Sequence, residues 1–254
     1  MKESVQAATT ETEQQKLEIL RGFFDGYAQR NKDSNEALRL VTPFVEKFEI
    51  ELPALKDKER IWETTVAPHF NVFQVLRIER KEQKLHSRFI AALLDPNGLH
   101  SQGKLFLNLF LGVAREATQG CRFRGPGLFA ADSLWQVTTE EAVDQSDRLD
   151  IILRCPSRNY LMVIENKVDA REQDQQLSRY SSWLERQKEK HPNTDKIFLT
   201  PEGKPPEEIK SRDDWVCLSY NEDIATWLTR ALQDLKPPSL CLAIEQYIKI
   251  VETL

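Results

Sequence analysis

The sequence predicts an α/β fold in which helices cover both faces of a mixed β-sheet. Two observations carry this prediction. Residues 149–153 and 160–164 are apolar runs rich in Ile, Val, Leu and Tyr, and a turn-like break containing Pro156 separates them. This pattern is typical of a β-hairpin whose two faces are both covered. From residue 81 onward the chain alternates in the order helix, helix, three strands, helix, two strands, helices.

The other elements follow from apolar runs and helical spacing. Residues 134–139 are the candidate first strand, and residues 196–200 and 215–220 the last two. A helix is predicted from residue 81 to the stop signal Asp95-Pro96-Asn97-Gly98. Further helices are expected in the regions of residues 106–111, 168–184, 223–235 and 240–251.

The N-terminal part is expected to be separate, with a tail and helical segment over residues 1–68 and a second domain over residues 69–254. Apolar residues at helical spacing predict a helix from about residue 13. A second helix is expected from Ser34 to about residue 48, and Pro43 should break or kink it. A helical layer or an oligomerisation element is the role we expect for this segment.

The composition places the chain among ordinary soluble proteins. Its 254 residues, 40% of them hydrophobic, can bury one sizeable core. The net charge of −5 argues against a protein that passively coats DNA, but it allows an enzyme with a local basic groove. The four cysteines are scattered, without the spacing of a zinc site, and no long apolar run is present. We therefore expect a cytoplasmic protein with no membrane association.

Three charged side chains stand at one end of the predicted hairpin: Asp150, Glu165 and Lys167. Two buried carboxylates suppress each other's ionisation, and a divalent cation between them removes that cost. Carboxylate oxygens are hard ligands that suit Mg²⁺ or Mn²⁺. An ordinary ion pair at the end of a strand would use the same residues, so the three side chains alone leave both interpretations open.

The register of the hairpin decides whether the two carboxylates can meet. If Arg154 stands opposite Asn159, then Asp150 stands opposite Val163 and shares a face with Glu165, its diagonal neighbour. A slip of one residue would put the two carboxylates on opposite faces. The symmetric register therefore predicts a shared ion.

Glu82 lies on the apolar stripe of the helix that begins near residue 81. It falls on the same face as His86, Phe89, Ile90 and Leu93. A carboxylate on a face that packs against the core needs a partner. That partner is either a neighbouring Arg or Lys, or a metal site to which Glu82 adds a further carboxylate.

A basic region precedes the hairpin. Residues 77–124 contain nine Lys and Arg against four Asp and Glu, a local charge of +5. A basic flank beside a carboxylate metal site suits a phosphodiester substrate, although a solvated helix face has the same composition. The residues predicted to bind nucleic acid are Lys81, Lys84, Arg88 and Lys104.

The spacing of Asp150, Glu165 and Lys167 resembles the PD-(D/E)XK nuclease superfamily, with Leu149 in place of the usual proline. One prokaryotic family in it has the motifs E-x(2–3)-HS…LLDP and ENK…QL-x-RY. The matching residues here are Glu82, His86, Ser87, Leu93, Leu94, Asp95, Pro96, Glu165, Asn166, Lys167, Gln176, Leu177, Arg179 and Tyr180. The resemblance covers residues 70–228, Ser101 replaces a usual glycine, and the N-terminal helices match none of the motifs.

This resemblance implies a restriction-endonuclease-like sandwich of three layers and metal-dependent hydrolysis of phosphodiester bonds. Asp150 and Glu165 would hold Mg²⁺ or Mn²⁺, with Glu82 at a second metal or the water, and Lys167 would orient that water. Gln176 and Tyr180 are implied to border the metal site and the scissile phosphate, although Tyr180 also suits simple core packing.

The function expected from this resemblance is a DNA endonuclease that acts in defence against foreign DNA. A catalytically silent nuclease fold that binds DNA or regulates is the alternative, and the intact set of Glu82, Asp150, Glu165 and Lys167 argues against it. An RNase is a second alternative, because no residue decides which sugar is bound. The residues leave open whether the chain forms a homo-oligomer or needs an activating partner protein.

Overall fold

The structure, a computed structural model, describes residues 35–118, 123, 134–143, 147–170, 173, 175–208 and 214–254, with the backbone alone for residues 35–46, 48 and 49. The chain divides into two compact units, Met1–Phe70 and Asn71–Leu254. The functional division near residue 68 stays a prediction. The helix predicted from residue 13 lies outside the described residues.

The described part of the first unit contains one long helix, α1 (Asn35–Val66), of 32 residues. The prediction of a helix that ends near residue 48 is wrong, since α1 continues through both Pro43 and Pro53. Residues with high helix propensity, Ala, Leu, Lys, Glu and Arg, fill much of residues 54–63. Each proline removes one backbone donor from the helix, so α1 continues at these two positions without that hydrogen bond.

The second unit is built on a five-stranded sheet with the strand order β1-β2-β3-β4-β5. Strand β2 is antiparallel to both β1 and β3, and β3, β4 and β5 run parallel to one another. The sheet is therefore mixed, and the predicted α/β fold class is confirmed. The strands are β1 (Gln136–Ala142), β2 (Arg148–Cys155), β3 (Tyr160–Asn166), β4 (Asn193–Thr200) and β5 (Val216–Ser219).

Six helices accompany the described part of this sheet in the second unit, and two of them begin with a π-helical turn that leads directly into an α-helix. They are α2 (Val72–Val75), α3 (the π-helical turn Glu82–Ser87 continued by Arg88–Leu94), α4 (Leu105–Ala117), α5 (Gln176–Gln187), α6 (the π-helical turn Tyr220–Ile224 continued by Ala225–Asp234) and α7 (Pro238–Val251). No helix of the described residues is long and apolar enough to cross a membrane.

The two faces of the sheet bury separate apolar clusters. On one face, helix α5 packs Leu177 and Trp183 against strand residues that include Ile152 and Val163. On the other face, α3, α4, α6 and α7 build a larger cluster that contains Ile151, Leu153 and Cys155 of β2. Alternate residues of a strand point to opposite faces, so this division is what a covered sheet requires. The result is the three-layer arrangement that the sequence predicts.

The hairpin β2–β3 has a different register from the predicted one. Cys155 pairs with Tyr160 and Ile151 pairs with Ile164, so each residue of β2 is paired two positions further along β3 than expected. The cause lies in the turn, where a short 3₁₀ segment ends at Asn159 with φ of +49°. A shift of two residues leaves every side chain on its predicted face, because the side-chain period of a strand is two.

Candidate active site

The two carboxylates of the hairpin lie opposite each other. One step beyond the Ile151–Ile164 pair, the register puts Asp150 across from Glu165 rather than diagonal to it. Both side chains are buried, Asp150 at 8% and Glu165 at 1% exposure. The Oδ2 atom of Asp150 accepts a hydrogen bond from the backbone N of Asn166 at 2.8 Å. Direct cross-strand facing is the closest arrangement that two strand residues can have.

Lys167 completes the group at the end of β3. Its Nζ atom lies 2.8 Å from Oε1 of Glu165, and its side chain is 13% exposed. The other carboxylate oxygen of Glu165, Oε2, is buried and has no hydrogen-bond partner among the described residues. A buried carboxylate oxygen without a donor is costly, so this atom calls for a cation or a water molecule.

The electrostatics of the pair favour uptake of a proton or a cation. Burial raises the pKa of Asp150 to about 7, against the lowering effects of the Asn166 amide and of Lys167. Burial and the neighbouring Asp150 raise the pKa of Glu165 well above its ordinary value. Burial acts to lower the pKa of Lys167, but the carboxylates, Glu165 foremost, outweigh it and raise that pKa. One lysine therefore does not offset two buried negative charges.

A divalent cation fits this donor set. Both side chains offer hard oxygen atoms, and the orphaned Oε2 of Glu165 is free to accept one. In the part of the chain that is described, no three His, Cys, Asp or Glu side chains are grouped closely enough to hold a metal ion. Mg²⁺ keeps several waters and is commonly held by one or two carboxylates, so the Asp150–Glu165 pair suffices for it.

Glu82 reaches the same end of the sheet from helix α3. Its Oε2 atom accepts hydrogen bonds from the backbone N–H groups of residues 168, 169 and 170 at 2.5, 3.2 and 3.1 Å. Its charge also contributes to the raised pKa values of Asp150 and Glu165, after larger effects. Glu82 thus holds the segment that follows Lys167. Its role as a metal ligand stays a prediction.

Gln176 and Tyr180 lie behind the start of β2. Tyr180 is fully buried in the α5 cluster, and its hydroxyl donates to the backbone O of Arg148 at 2.7 Å. The Nε2 atom of Gln176 donates to that hydroxyl at 2.8 Å. Burial and, after it, the charge of Glu165 raise the pKa of Tyr180, so the phenol stays protonated near neutral pH. Their place at the border of a metal site and their contact with a phosphate both stay predictions.

The predicted basic residues lie mainly along α3. Three of them, at positions 81, 84 and 88, are exposed, and the partly buried residue at position 104 immediately precedes α4. Lys81 lies within electrostatic reach of Asp169, in the segment that Glu82 holds, and Arg88 lies within reach of Glu140. Binding of nucleic acid by these side chains stays a prediction. The four predicted residues are Lys81, Lys84, Arg88 and Lys104.

Asn166, between Glu165 and Lys167, connects three elements and was not predicted to matter. Its backbone N donates to Asp150, and its Nδ2 donates to Oγ of Ser87 on α3 at 3.1 Å. Its Oδ1 accepts from the hydroxyl of Tyr220 on α6 at 2.8 Å. All of these groups are buried. The asparagine thus fixes the end of β3 against two helices.

His86 supports the same region as a core residue. Its Nε2 atom lies 2.9 Å from the backbone O of Glu79, which can only accept, so this nitrogen carries the proton. Its Nδ1 atom then accepts from the hydroxyl of Tyr247 at 2.8 Å. Burial lowers the pKa of His86 to about 4, so the ring is neutral at pH 7. Both ring nitrogens of His86 are therefore hydrogen-bonded within the protein, and the side chain packs α3 against α7.

Glu140 is a further carboxylate at this end of the sheet. It stands across from Asp150 in β1, between the pairs Thr139–Ile151 and Glu141–Leu149. Its charge contributes to the raised pKa of Asp150. The sequence did not single it out, because the predicted first strand ended at residue 139 and the observed strand ends at Ala142. The two acidic residues of β1, Glu140 and Glu141, are adjacent, and the second of them is the one that pairs with an arginine.

The Asn166 network predicts a stability effect. Asn166→Ala should lower the free energy of unfolding by about 2–4 kcal/mol, because it leaves the hydroxyls of Ser87 and Tyr220 buried without their partner. Urea denaturation measures this change. Asn221→Ala is the control, since Asn221 is exposed at the same helix start, and it should change stability by less than about 0.5 kcal/mol. Equal effects of the two substitutions would contradict the network.

The fold and the site together define a class of protein. A mixed sheet whose central hairpin brings an Asp, a Glu and a Lys together at one end is the framework of nucleases that hydrolyse phosphodiester bonds. A family model described as the PD-(D/E)XK nuclease superfamily matches residues 70–249. The chain belongs to this superfamily. No curated protein and no solved structure matched the chain.

Proposed function

We propose that this protein is a divalent-cation-dependent nuclease that cleaves DNA internally. Membership in the superfamily supports hydrolysis of phosphodiester bonds in a nucleic acid, typically with a divalent metal. The observation that carries the proposal is the buried Asp150–Glu165 pair with Lys167 in contact and one carboxylate oxygen unpartnered. Internal cleavage, DNA as the substrate and a role in defence against foreign DNA rest on the motif resemblance alone.

The roles of the side chains follow from their chemistry. Asp150 and Glu165 would hold the cation, which when bound polarises the phosphate and acidifies a water molecule. Lys167 stands beside Glu165 with a fixed positive charge, and that charge opposes the negative charge that develops on the phosphate. Glu82 keeps the segment after Lys167 in place through three backbone amides, so it orients the lysine.

The proposal is tested by cleavage assays on the purified full chain. Supercoiled plasmid, single-stranded DNA and RNA are incubated with Mg²⁺ or Mn²⁺, and with EDTA as the metal-free control. Conversion of the plasmid to nicked and linear forms only with the cation supports a DNA endonuclease. If only RNA is cleaved, the protein is an RNase and the proposal of a DNA substrate is wrong. Binding without cleavage of any substrate, in either cation, would make the protein a silent module.

Substrate binding should depend on the basic side chains of α3. Reversal of Lys81, Lys84 and Arg88 to Glu together should weaken plasmid affinity at moderate salt by tenfold or more, because each phosphate contact releases counterions. Fluorescence anisotropy measures the affinity over a series of salt concentrations. In the triple variant, the logarithm of the binding constant should fall less steeply with the logarithm of the salt concentration than in the wild type. The matched control reverses Arg186, Lys188 and Lys190, three cationic residues around the far end of α5. If both triple variants bind alike, the α3 residues form a solvated face only.

A further inference from the structure

The backbone of β1 turns at Glu140. This residue has φ of +55°, in the left-handed region that a non-glycine residue adopts at a cost, although the residues on either side pair normally with β2. Such a conformation persists only where the surrounding structure holds it, and functional sites are a common place for it. This conformation falls at the position in β1 that stands opposite Asp150.

The side chain of Glu140 is only half satisfied. Its Oε2 atom accepts a hydrogen bond from Nε2 of Gln83 at 3.3 Å. Its Oε1 atom is buried and has no hydrogen-bond partner among the described residues. Glu165 shows the same condition on the other side of Asp150, since it is 1% exposed and its Oε2 is also orphaned. Two unpartnered carboxylate oxygens therefore flank Asp150, one from β1 and one from β3.

Arginine side chains are close to Glu140 but do not satisfy the orphaned oxygen. Arg88 and Arg148 are both within electrostatic reach of the carboxyl group. The guanidinium of Arg148 instead donates to the backbone O of Glu140, at 3.5 Å. The neighbouring residue shows the contrast, because Glu141 forms two hydrogen bonds with the guanidinium of Arg154. Glu141 thus forms an ion pair with an arginine. Glu140 has two arginines nearby, but its Oε1 atom accepts no hydrogen bond from either of them.

We propose that Glu140 is a further cation-binding carboxylate of this site, holding the divalent cation of Asp150 and Glu165 from the β1 side. The inference rests on the proposed function, since it concerns the same cation. The carboxylates of Glu140, Asp150 and Glu165 are not grouped closely enough for all three to contact one metal ion directly. Mg²⁺ and related cations keep part of their hydration, and Glu140 accepts from a water molecule in that hydration shell. Carboxylates that bind in this way strengthen metal affinity by ten- to a hundredfold.

The test is isothermal titration of Mn²⁺ alone into the full chain, without nucleic acid. Glu140→Gln should weaken Mn²⁺ binding by about tenfold or more, because the neutral amide loses the charge but keeps the shape. Glu141→Gln is the matched control, one residue away in the same strand, and should bind Mn²⁺ like the wild type. Asp150→Asn should lose the binding. Glu140→Asn, which suits a left-handed backbone, replaces the Gln variant if that protein does not fold.

The outcomes separate the inference from the proposed function. Unchanged Mn²⁺ affinity in the Glu140 variant, with binding lost in Asp150→Asn, overturns the role of Glu140 and leaves the metal site standing. Equal weakening in the Glu140 and Glu141 variants also overturns it, since the effect would then be general charge loss. Wild-type affinity in Asp150→Asn overturns the proposed metal site itself, and the inference with it.

Discussion

Lys167→Ala should lower the rate of cleavage by about a thousandfold while metal binding is retained. Removing a single group that stabilises developing charge typically costs a factor of about 10²–10³ in kcat. The lysine acts more strongly on the transition state than on the bound substrate, so the loss should appear in kcat with little change in KM. Affinity for Mn²⁺ should stay equal or rise, because the ammonium of Lys167 competes with the cation for Glu165.

Lys196→Ala is the matched control for this prediction. Lys196 has the same 13% side-chain exposure as Lys167 and a comparable ion pair, with Asp214 at 2.7 Å, and its side-chain partners are Ser181 and Asp214 rather than Asp150 or Glu165. Single-turnover cleavage and Mn²⁺ titration are measured for both variants. Equal loss of cleavage in the two, or loss of Mn²⁺ binding in Lys167→Ala alone, would contradict the role assigned to Lys167.

Asp150→Asn should abolish cation-dependent cleavage and stabilise the protein in EDTA. The carboxylate of Asp150 is buried beside Glu165, so its charge is unfavourable until a cation arrives. The amide keeps an oxygen that can accept from the backbone N of Asn166, and it removes the charge. We expect the free energy of unfolding in EDTA at pH 8 to increase by about 2–4 kcal/mol. Urea denaturation in EDTA and plasmid cleavage in Mg²⁺ measure the two effects.

The sign of this stability effect depends on pH. Because the pKa of Asp150 is raised from 3.8 to about 7, the folded protein binds more protons than the unfolded chain between these values. The free energy of unfolding in EDTA should therefore decrease as the pH rises from 3.8 to about 7. The Asp150→Asn variant should lack the part of this decrease that comes from Asp150. His86, with a pKa lowered to about 4, acts in the opposite direction below pH 6.5. The difference in stability between the wild type and Asp150→Asn at each pH gives the contribution of Asp150 alone, because His86 is present in both proteins.

Asp147→Asn provides the contrasting control at the same end of the hairpin. Asp147 is buried but paired with Arg179, so removing its charge breaks an ion pair. This variant should be less stable than the wild type by about 1–2 kcal/mol, the reverse of Asp150→Asn. If Asp150→Asn also destabilises the protein in EDTA, the Asp150 charge is favourable in the metal-free site, and the electrostatic argument fails.

The hairpin shows how much of the site can be predicted from sequence. Period-two alternation puts Asp150 and Glu165 on one face in both the predicted and the observed register, since they differ by two residues. The exact partner of Asp150 could not be predicted, because it depends on the 3₁₀ turn and on the left-handed Asn159. Such turn geometry is a local choice among several of similar energy.

Tertiary context explains the features that the sequence did not predict. Glu140 enters the site through a left-handed backbone that disfavours Glu, so propensity argued against it. The asparagine at 166 was identified only as part of a motif, and its bonds to Ser87 and Tyr220 join segments far apart in the chain. In α1, the two prolines predicted breaks, and the helix continues through both of them.

In the proposed site, Asp150 and Glu165 together hold a divalent cation beside Lys167. This arrangement is tested most directly by crystals of the full chain soaked in Mn²⁺, with anomalous diffraction used to locate the ion. We predict one strong anomalous peak within about 2.5 Å of a carboxylate oxygen of each residue, with Oε2 of Glu165 as one ligand. No peak between Asp150 and Glu165 at saturating Mn²⁺, or a peak only at other residues, would contradict the account.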